Sequence, residues 1–194
     1  RMRLLADHTN LANSVCEFYC RNREHFSAWT PAAPDTFFTV CEQRRRLQEG
    51  MEAFRGDSAY RYWMVDSVRA TMKGPQPTAF DIIGCVHFSQ VTRGVFQNAV
   101  LGYLLDESHV GRGWMAEALT ACIAEMFSRR VNLHRIQAAY RPENRRSAAV
   151  LRRLGFRIEG LAAAYLFIDG AWQDHCLSAL TNARFLNLES HAGR

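Results

Sequence analysis

Hydrophobic positions along this chain switch between a helical and an alternating period. RMRLL at the start reads as a strand. Apolar residues then recur at helical spacing from about Thr9 to Asn22 and from about Asp35 to Phe54, joined by the segment HFSAWTPAAPD. Asp7 or Thr9 offers a cap for the first of these helices. Period-two alternation predicts strands over Tyr60 to Asp66, Asp81 to Gln90 and Val95 to Leu105, antiparallel neighbours joined by short turns. The segment VRATMKGPQPTA, 68 to 79, has the Gly and Pro of a flexible surface loop. After DESHVGRG the helical period returns with Met115, Ala118, Leu119, Cys122, Ile123 and Met126. A strand HRIQAAY, 134 to 140, precedes a helix that Asn144 can open, with Val150, Leu151 and Leu154 on one face. Gly155 ends that helix and Phe156 begins the next strand.

Composition narrows the class. A chain of 194 residues, 48% hydrophobic and 22% charged, can bury one substantial core, so one soluble domain is expected. No apolar run approaches the roughly 18 to 20 residues of a membrane span. No basic-then-apolar leader opens the chain, and the default location is the cytoplasm. RMRLL reads as a strand already under way, which predicts a native start a few residues earlier.

The six cysteines form no CxxC pair and sit mostly in apolar patterns, so buried reduced thiols are expected, with no zinc site. The histidines lack the i, i+4 pairing of a helical metal site. Net charge is +5 and Lys73 is the only lysine. An arginine surplus suits oxyanion recognition and suits a solvated surface equally. Arg44, Arg45 and Arg46 lie on the second helix and are expected to face solvent.

The order of strand, glycine-containing turn and helix around HVGRGWMAEAL aims unpaired backbone N–H groups and the positive end of a helix dipole at one spot. Gly111 and Gly113 permit positive φ and a close approach, and Arg112 between them adds a charge. The loop lacks the GK[ST] ending of a nucleotide triphosphatase and the third glycine of a dinucleotide fingerprint. Taken alone, GxG before a helix is as often structural as functional.

With RPENRRSAAVLRRLGF downstream, the sequence resembles the GNAT acyltransferases. In that family a Gln/Arg-x-x-Gly-x-Gly/Ala loop binds the coenzyme A pyrophosphate, and a later Asn-x-x-Ser/Tyr, followed by a helix and LGF, marks the acetyl end. FSQVTRGVFQNAVLGYLL, HRIQAAYRPENRRSAAVLRRLGF, YLFIDGAWQDHCLSAL and HFSAWTP look like the Rim type of ribosomal-protein-alanine N-acetyltransferase. The resemblance spans essentially the whole chain and is strongest from about 80 to 181.

It implies a single α/β domain: a twisted, mixed, mainly antiparallel sheet of about seven strands with about four helices. Residues 1–80 would supply the acceptor side, 81–181 the acetyl-CoA core and 182–194 a tail. It also implies acetyl-CoA as the donor, held by the amides of Val110, Gly111, Arg112, Gly113, Trp114 and Met115, and by Asn144, Arg146 and Ser147. Leu105 would offer its backbone N–H to the thioester carbonyl, and Ser147 would act as general acid for the leaving thiolate. Ser147 reads equally as a first-turn helix serine bonding the backbone.

Ser108 replaces the usual Gln or Arg of the loop. Ala139 and Leu166 stand where relatives carry a catalytic glutamate, so the base is unnamed, and a water chain touching Glu107, Tyr140 or Glu143 is one substitute. An N-terminal α-amine has an unperturbed pKa of roughly 7.7 to 8.0, which makes a strong base dispensable. Attack would be direct, with Cys85 and Cys176 buried rather than acylated.

The acceptor groove is expected at Trp29, Tyr103 and Tyr165, although Trp29 and Trp172 also read as core. Asp169 and Asp174 read either as ammonium contacts or as parts of an ordinary turn. The resulting expectation is acetyl transfer to a protein N-terminus, foremost an alanine-starting ribosomal protein, by a monomer or weak dimer that can associate with the ribosome and not with a membrane. Acetylation of another amine, and a non-catalytic acyl-CoA- or ribosome-binding module, are the alternatives.

Overall fold

A computed structural model describes residues 1–66 and 80–186; the loop expected at 68–79 and the end of the tail lie outside them. The chain runs β1 (Met2–Ala6), α1 (Ala12–Arg21), α2 (Arg23–Ser27), α3 (Val40–Arg55), β2 (Tyr60–Asp66), β3 (Ile82–Thr92), β4 (Asn98–Leu105), α4 (Trp114–Met126), β5 (Arg135–Tyr140), α5 (Arg145–Arg153), β6 (Arg157–Ile168) and β7 (Ala171–Thr181). The seven strands form one sheet in the order β1-β2-β3-β4-β5-β7-β6. All neighbours are antiparallel except β4 and β5.

Both early helices are shorter than their periodicity suggests. His8, rather than Asp7 or Thr9, accepts from Asn10 to cap a single 3-10 turn, and α1 follows it. Asp7 is instead buried, taking a 2.7 Å hydrogen bond from the Trp63 indole. Asp35–Phe38 is a separate 3-10 turn, because Thr39 is extended and its hydroxyl accepts from the Glu42 amide to start α3. The short α2 brings the helices among the described residues to five, against about four expected.

The strand expected from Val95 begins only at Asn98. Gly94 and Gln97 have positive φ, Val95 is fully exposed, and Arg93 is fixed to the Asp57 carboxylate and to the Val131 carbonyl at 2.8 Å. These contacts hold the intervening residues in a turn.

Two apolar clusters cover the faces of the sheet. Val15, Phe18, Leu47, Trp63, Val65 and Cys85 join α1 and α3 to one face. Met64, Val86, Leu101, Trp114, Leu119, Ile136 and Leu151 join α4 and α5 to the other. Among the described residues no helix is long and apolar enough to cross a membrane. Cys16, Cys85 and Cys122 are buried thiols, whereas Cys20 and Cys41 are exposed and Cys176 is half-buried, which corrects the expectation for those three. Trp29 is 37% and Trp172 63% exposed, so neither is core.

Candidate active site

The parallel pairing of β4 with β5 stops at Leu101 opposite Ala138. Beyond that point β4 continues to pair with β3 through Leu105, while β5 follows β7 through Tyr140. The two strands therefore part, and a cleft of about 640 Å³ opens between them, lined by Gly102 to Leu105 on one side and Ala139 to Arg141 on the other.

Strand alternation sets which amides face this opening. The Asp106 N–H bonds the Ile83 carbonyl at 2.8 Å, and the Leu104 carbonyl lies against Gly84 on β3. Leu105, one residue away, must direct its N–H and C=O away from β3 and into the splay. This is the direction its expected role requires.

The glycine loop closes one end of the cleft. Asp106 accepts from the Ser108 amide at 3.0 Å and hydroxyl at 2.6 Å, from Asn22 at 3.0 Å and from Arg21 at 2.6 Å. Burial pushes its carboxyl up, but these hydrogen bonds outweigh burial and hold it well below the carboxylate range. Asn22 in turn accepts from the Glu107 amide at 3.0 Å. Ser108 thus braces the base of the loop through Asp106.

Gly111 and Gly113 have φ of +81° and +79°. A Cβ on Gly111 would meet nothing within 4 Å, and Gly113 caps α4 without a side-chain hydrogen bond. The first amides of α4 are left facing an open cradle suited to a pyrophosphate. Arg1 secures the loop from outside: its guanidinium bonds the Arg112 carbonyl at 3.2 Å, pairs with Glu117 at 2.8 Å and lies 4.2 Å over Trp114. Arg112 is exposed on the outer side of the turn and does not line the cleft.

Asn144 opens α5 as expected, its side-chain oxygen accepting from the Ser147 amide at 3.0 Å. The Ser147 hydroxyl points across to β4, where it meets the Tyr103 hydroxyl at 2.6 Å. Burial pushes the Tyr103 phenol up to about 12, so it stays neutral and can donate to Ser147. Tyr103 was expected among the acceptor contacts, and its pairing with Ser147 was not legible in the sequence.

Trp29 lines the opposite wall, with Arg141 5.7 Å from its ring and bonded to the Ala28 carbonyl at 2.8 Å. Tyr165 lies outside the lining, its ring 5.2 Å from His175, which does line it. Asp169 and Gly170 form the β6–β7 turn with positive φ, and Asp174 accepts from the Ala164 amide at 2.8 Å. Of the residues considered for a proton path, Tyr140 lines the cleft; Glu107 and Glu143 do not. Arg46, expected in solvent, is half-buried and lines the cleft, unlike the exposed Arg44 and Arg45.

A split between parallel strands, capped by a glycine turn and a helix start, agrees with the acyltransferase fold that the sequence resemblance implies. Residues 2–157 match the family model for the acetyltransferase (GNAT) domain, and the chain belongs to the GNAT acetyltransferases. It is an acetyl-CoA-dependent N-acetyltransferase. The chain is 38% identical to the [ribosomal protein uS5]-alanine N-acetyltransferase of Escherichia coli over 174 residues, 90% of this chain and 84% of that protein. The crystal structure of the ribosomal-protein-S5-alanine acetyltransferase from Vibrio fischeri superposes with a TM-score of 0.88 at 35% identity, covering 96% of each chain. Mycobacterium smegmatis RimJ, solved with a CoA-disulfide, gives a TM-score of 0.80 at 28% identity, covering 93% of this chain and 81% of that one.

Proposed function

We propose that the chain acetylates the N-terminal α-amine of a cytoplasmic protein, and that this protein is a ribosomal protein beginning with alanine. The observation that carries the reading is the match along nearly the full chain to two enzymes whose names specify alanine of ribosomal protein S5. The cleft is compatible with it, because the described lining contains arginines and histidines and no Asp or Glu. A polycationic amine would find no counter-charge there, whereas a single terminal amine does not need one.

Acetyl-CoA supplies an activated acetyl thioester. The amides from Gly111 to Met115 hold its pyrophosphate, with Arg146 at the cleft adding positive charge, and Asn144 lies beside the pantetheine path; Val110, expected in the same set, gives its N–H to the Glu107 carbonyl at 3.2 Å instead. The Leu105 N–H donates to the acyl oxygen as negative charge develops there, an interaction worth about 3 kcal/mol in comparable oxyanion sites. Ser147, positioned by Tyr103, delivers a proton to the departing thiolate. The acceptor enters from the side of Trp29, and its α-amine, substantially neutral near pH 8 without a protein base, attacks the thioester carbonyl directly; the C–N bond forms as the C–S bond breaks, and the proton the nitrogen loses replaces the one Ser147 gives to the thiolate. The working unit is a monomer or weak dimer.

The test is to incubate the protein with acetyl-CoA and a peptide carrying both an N-terminal alanine and an internal lysine, and to locate the acetyl group by fragmentation mass spectrometry. Modification of the terminus alone is expected. Acetyl on lysine, with the terminus unmodified, would overturn the reading.

A further inference from the structure

Arg61, His87 and Gly102 are direct cross-strand neighbours on β2, β3 and β4. They form one row on the α1/α3 face of the sheet, ending at the mouth of the split. Arg46 reaches the same place from α3: Arg46 and Arg61 both act electrostatically on His87 and on Tyr19, and all four line the cleft. Two arginines here are unexpected for a site whose substrate carries a positive or neutral amine.

The two arginines are oriented but incompletely neutralised. Arg46 lies 5.0 Å from the Phe37 ring and Arg61 5.9 Å from the Trp63 ring, contacts that fix a guanidinium without consuming its N–H donors. Among the described residues Arg46 makes no ion pair, and Arg61 has one carboxylate at 3.6 Å, Asp7. Asp7 itself is fully enclosed and bonded to Trp63. Burial, and then the two arginines, push His87 down to about 4, so it joins the row as a neutral hydrogen-bonding group.

We infer that Arg46 and Arg61, with His87 between Arg61 and the split, form a subsite for a carboxylate side chain of the acceptor. The inference rests on the reading that the acceptor is a protein N-terminus. Strands are about 4.8 Å apart, so the Arg61 position lies roughly 10 Å from β4. An extended peptide covers that in about three residues, which puts the acidic side chain at the second to fourth positions. The subsite selects acceptors by sequence beyond the first residue, and its positive field also favours the neutral form of the incoming amine.

Two C-terminally amidated pentapeptides test this, one Ala-Glu-Glu-Glu-Gly and the other Ala-Gln-Gln-Gln-Gly, compared by kcat/KM for coenzyme A release. The acidic peptide should be preferred by about tenfold or more, and the ratio should fall toward one in both Arg61→Gln and Arg46→Gln. Arg46→Gln removes no ion pair among the described residues and keeps the test sound if loss of Asp7's partner unfolds the other variant. Equal kcat/KM for the two peptides in the unmodified protein would overturn the subsite while leaving N-terminal acetylation standing. If neither peptide is acetylated, that reading of the reaction fails, and calorimetry of the same peptides with coenzyme A-loaded protein decides the subsite: tighter binding of the acidic peptide upholds it, and equal or absent binding overturns it.

Discussion

The Tyr103 hydroxyl stands 2.6 Å from the Ser147 hydroxyl, joining β4 to the first turn of α5 across the split in the sheet. A serine alone has three rotamers; a buried phenol as partner selects one. If Ser147 supplies the proton to the leaving thiolate, Ser147→Ala should lower kcat by roughly 100-fold. Tyr103→Phe should lower it by roughly tenfold, and the double variant should be no worse than Ser147→Ala, because both act through one hydroxyl. Steady-state kinetics on the four proteins decides the point. Additive losses would separate the two residues.

Gly111 lies in open space with φ of +81°. Gly111→Glu places an L side chain at a left-handed position and a negative charge in an anion cradle. A stability loss of roughly 1 kcal/mol is expected from the backbone, together with loss of acetyl-CoA binding by more than tenfold in calorimetry. Retained affinity would remove the loop from the coenzyme site.

The loop's rigidity is assigned to Asp106, which ties Ser108, Asn22 and Arg21 together. Asp106→Ala leaves four donors on three residues without their acceptor and should destabilise the fold by about 2 kcal/mol, a figure reduced because Arg21 is partly solvated. Denaturant unfolding measures this. KM for acetyl-CoA should rise in the same variant, since the glycine turn is no longer held at its base.

His87 gives a pH signature. Its native value of about 4 lies below the ordinary histidine value of 6.5. Above pH 6.5 neither the folded nor the unfolded chain protonates it; as pH falls from 6.5 to 4 only the unfolded chain does, so stability is lost across that window. His87→Gln should lack this component, which is on the order of 3 kcal/mol when complete. Parallel unfolding curves of both proteins from pH 7 to 4 should show the unsubstituted protein losing stability relative to His87→Gln as the pH falls below 6.5.

The sequence carried the local features well. Asn144 and Gly155 bound α5 because capping chemistry is local, and the positive φ of Gly111 and Gly113 follows from the turn they make. It carried poorly whatever depends on register. Tyr103 and Ser147 are 44 positions apart and meet only because β4 and β5 diverge after Leu101 and Ala138. Arg61, His87 and Gly102 become neighbours only once three strands are aligned. Arg46 looks like its two exposed neighbours in the sequence, and the step of about 100° from one residue of α3 to the next separates solvent from cleft. The failed start of β4 at Val95 has the same origin: alternation continued through residues that Arg93 holds in a turn.

Release of coenzyme A thiol from acetyl-CoA is the most direct measurement, with an alanine-starting peptide set beside the same peptide blocked at its terminus. Turnover with the free terminus and none with the blocked one is the predicted result. Equal release with both peptides, or release with neither while acetyl-CoA still binds, would contradict acetyl transfer to an N-terminal amine.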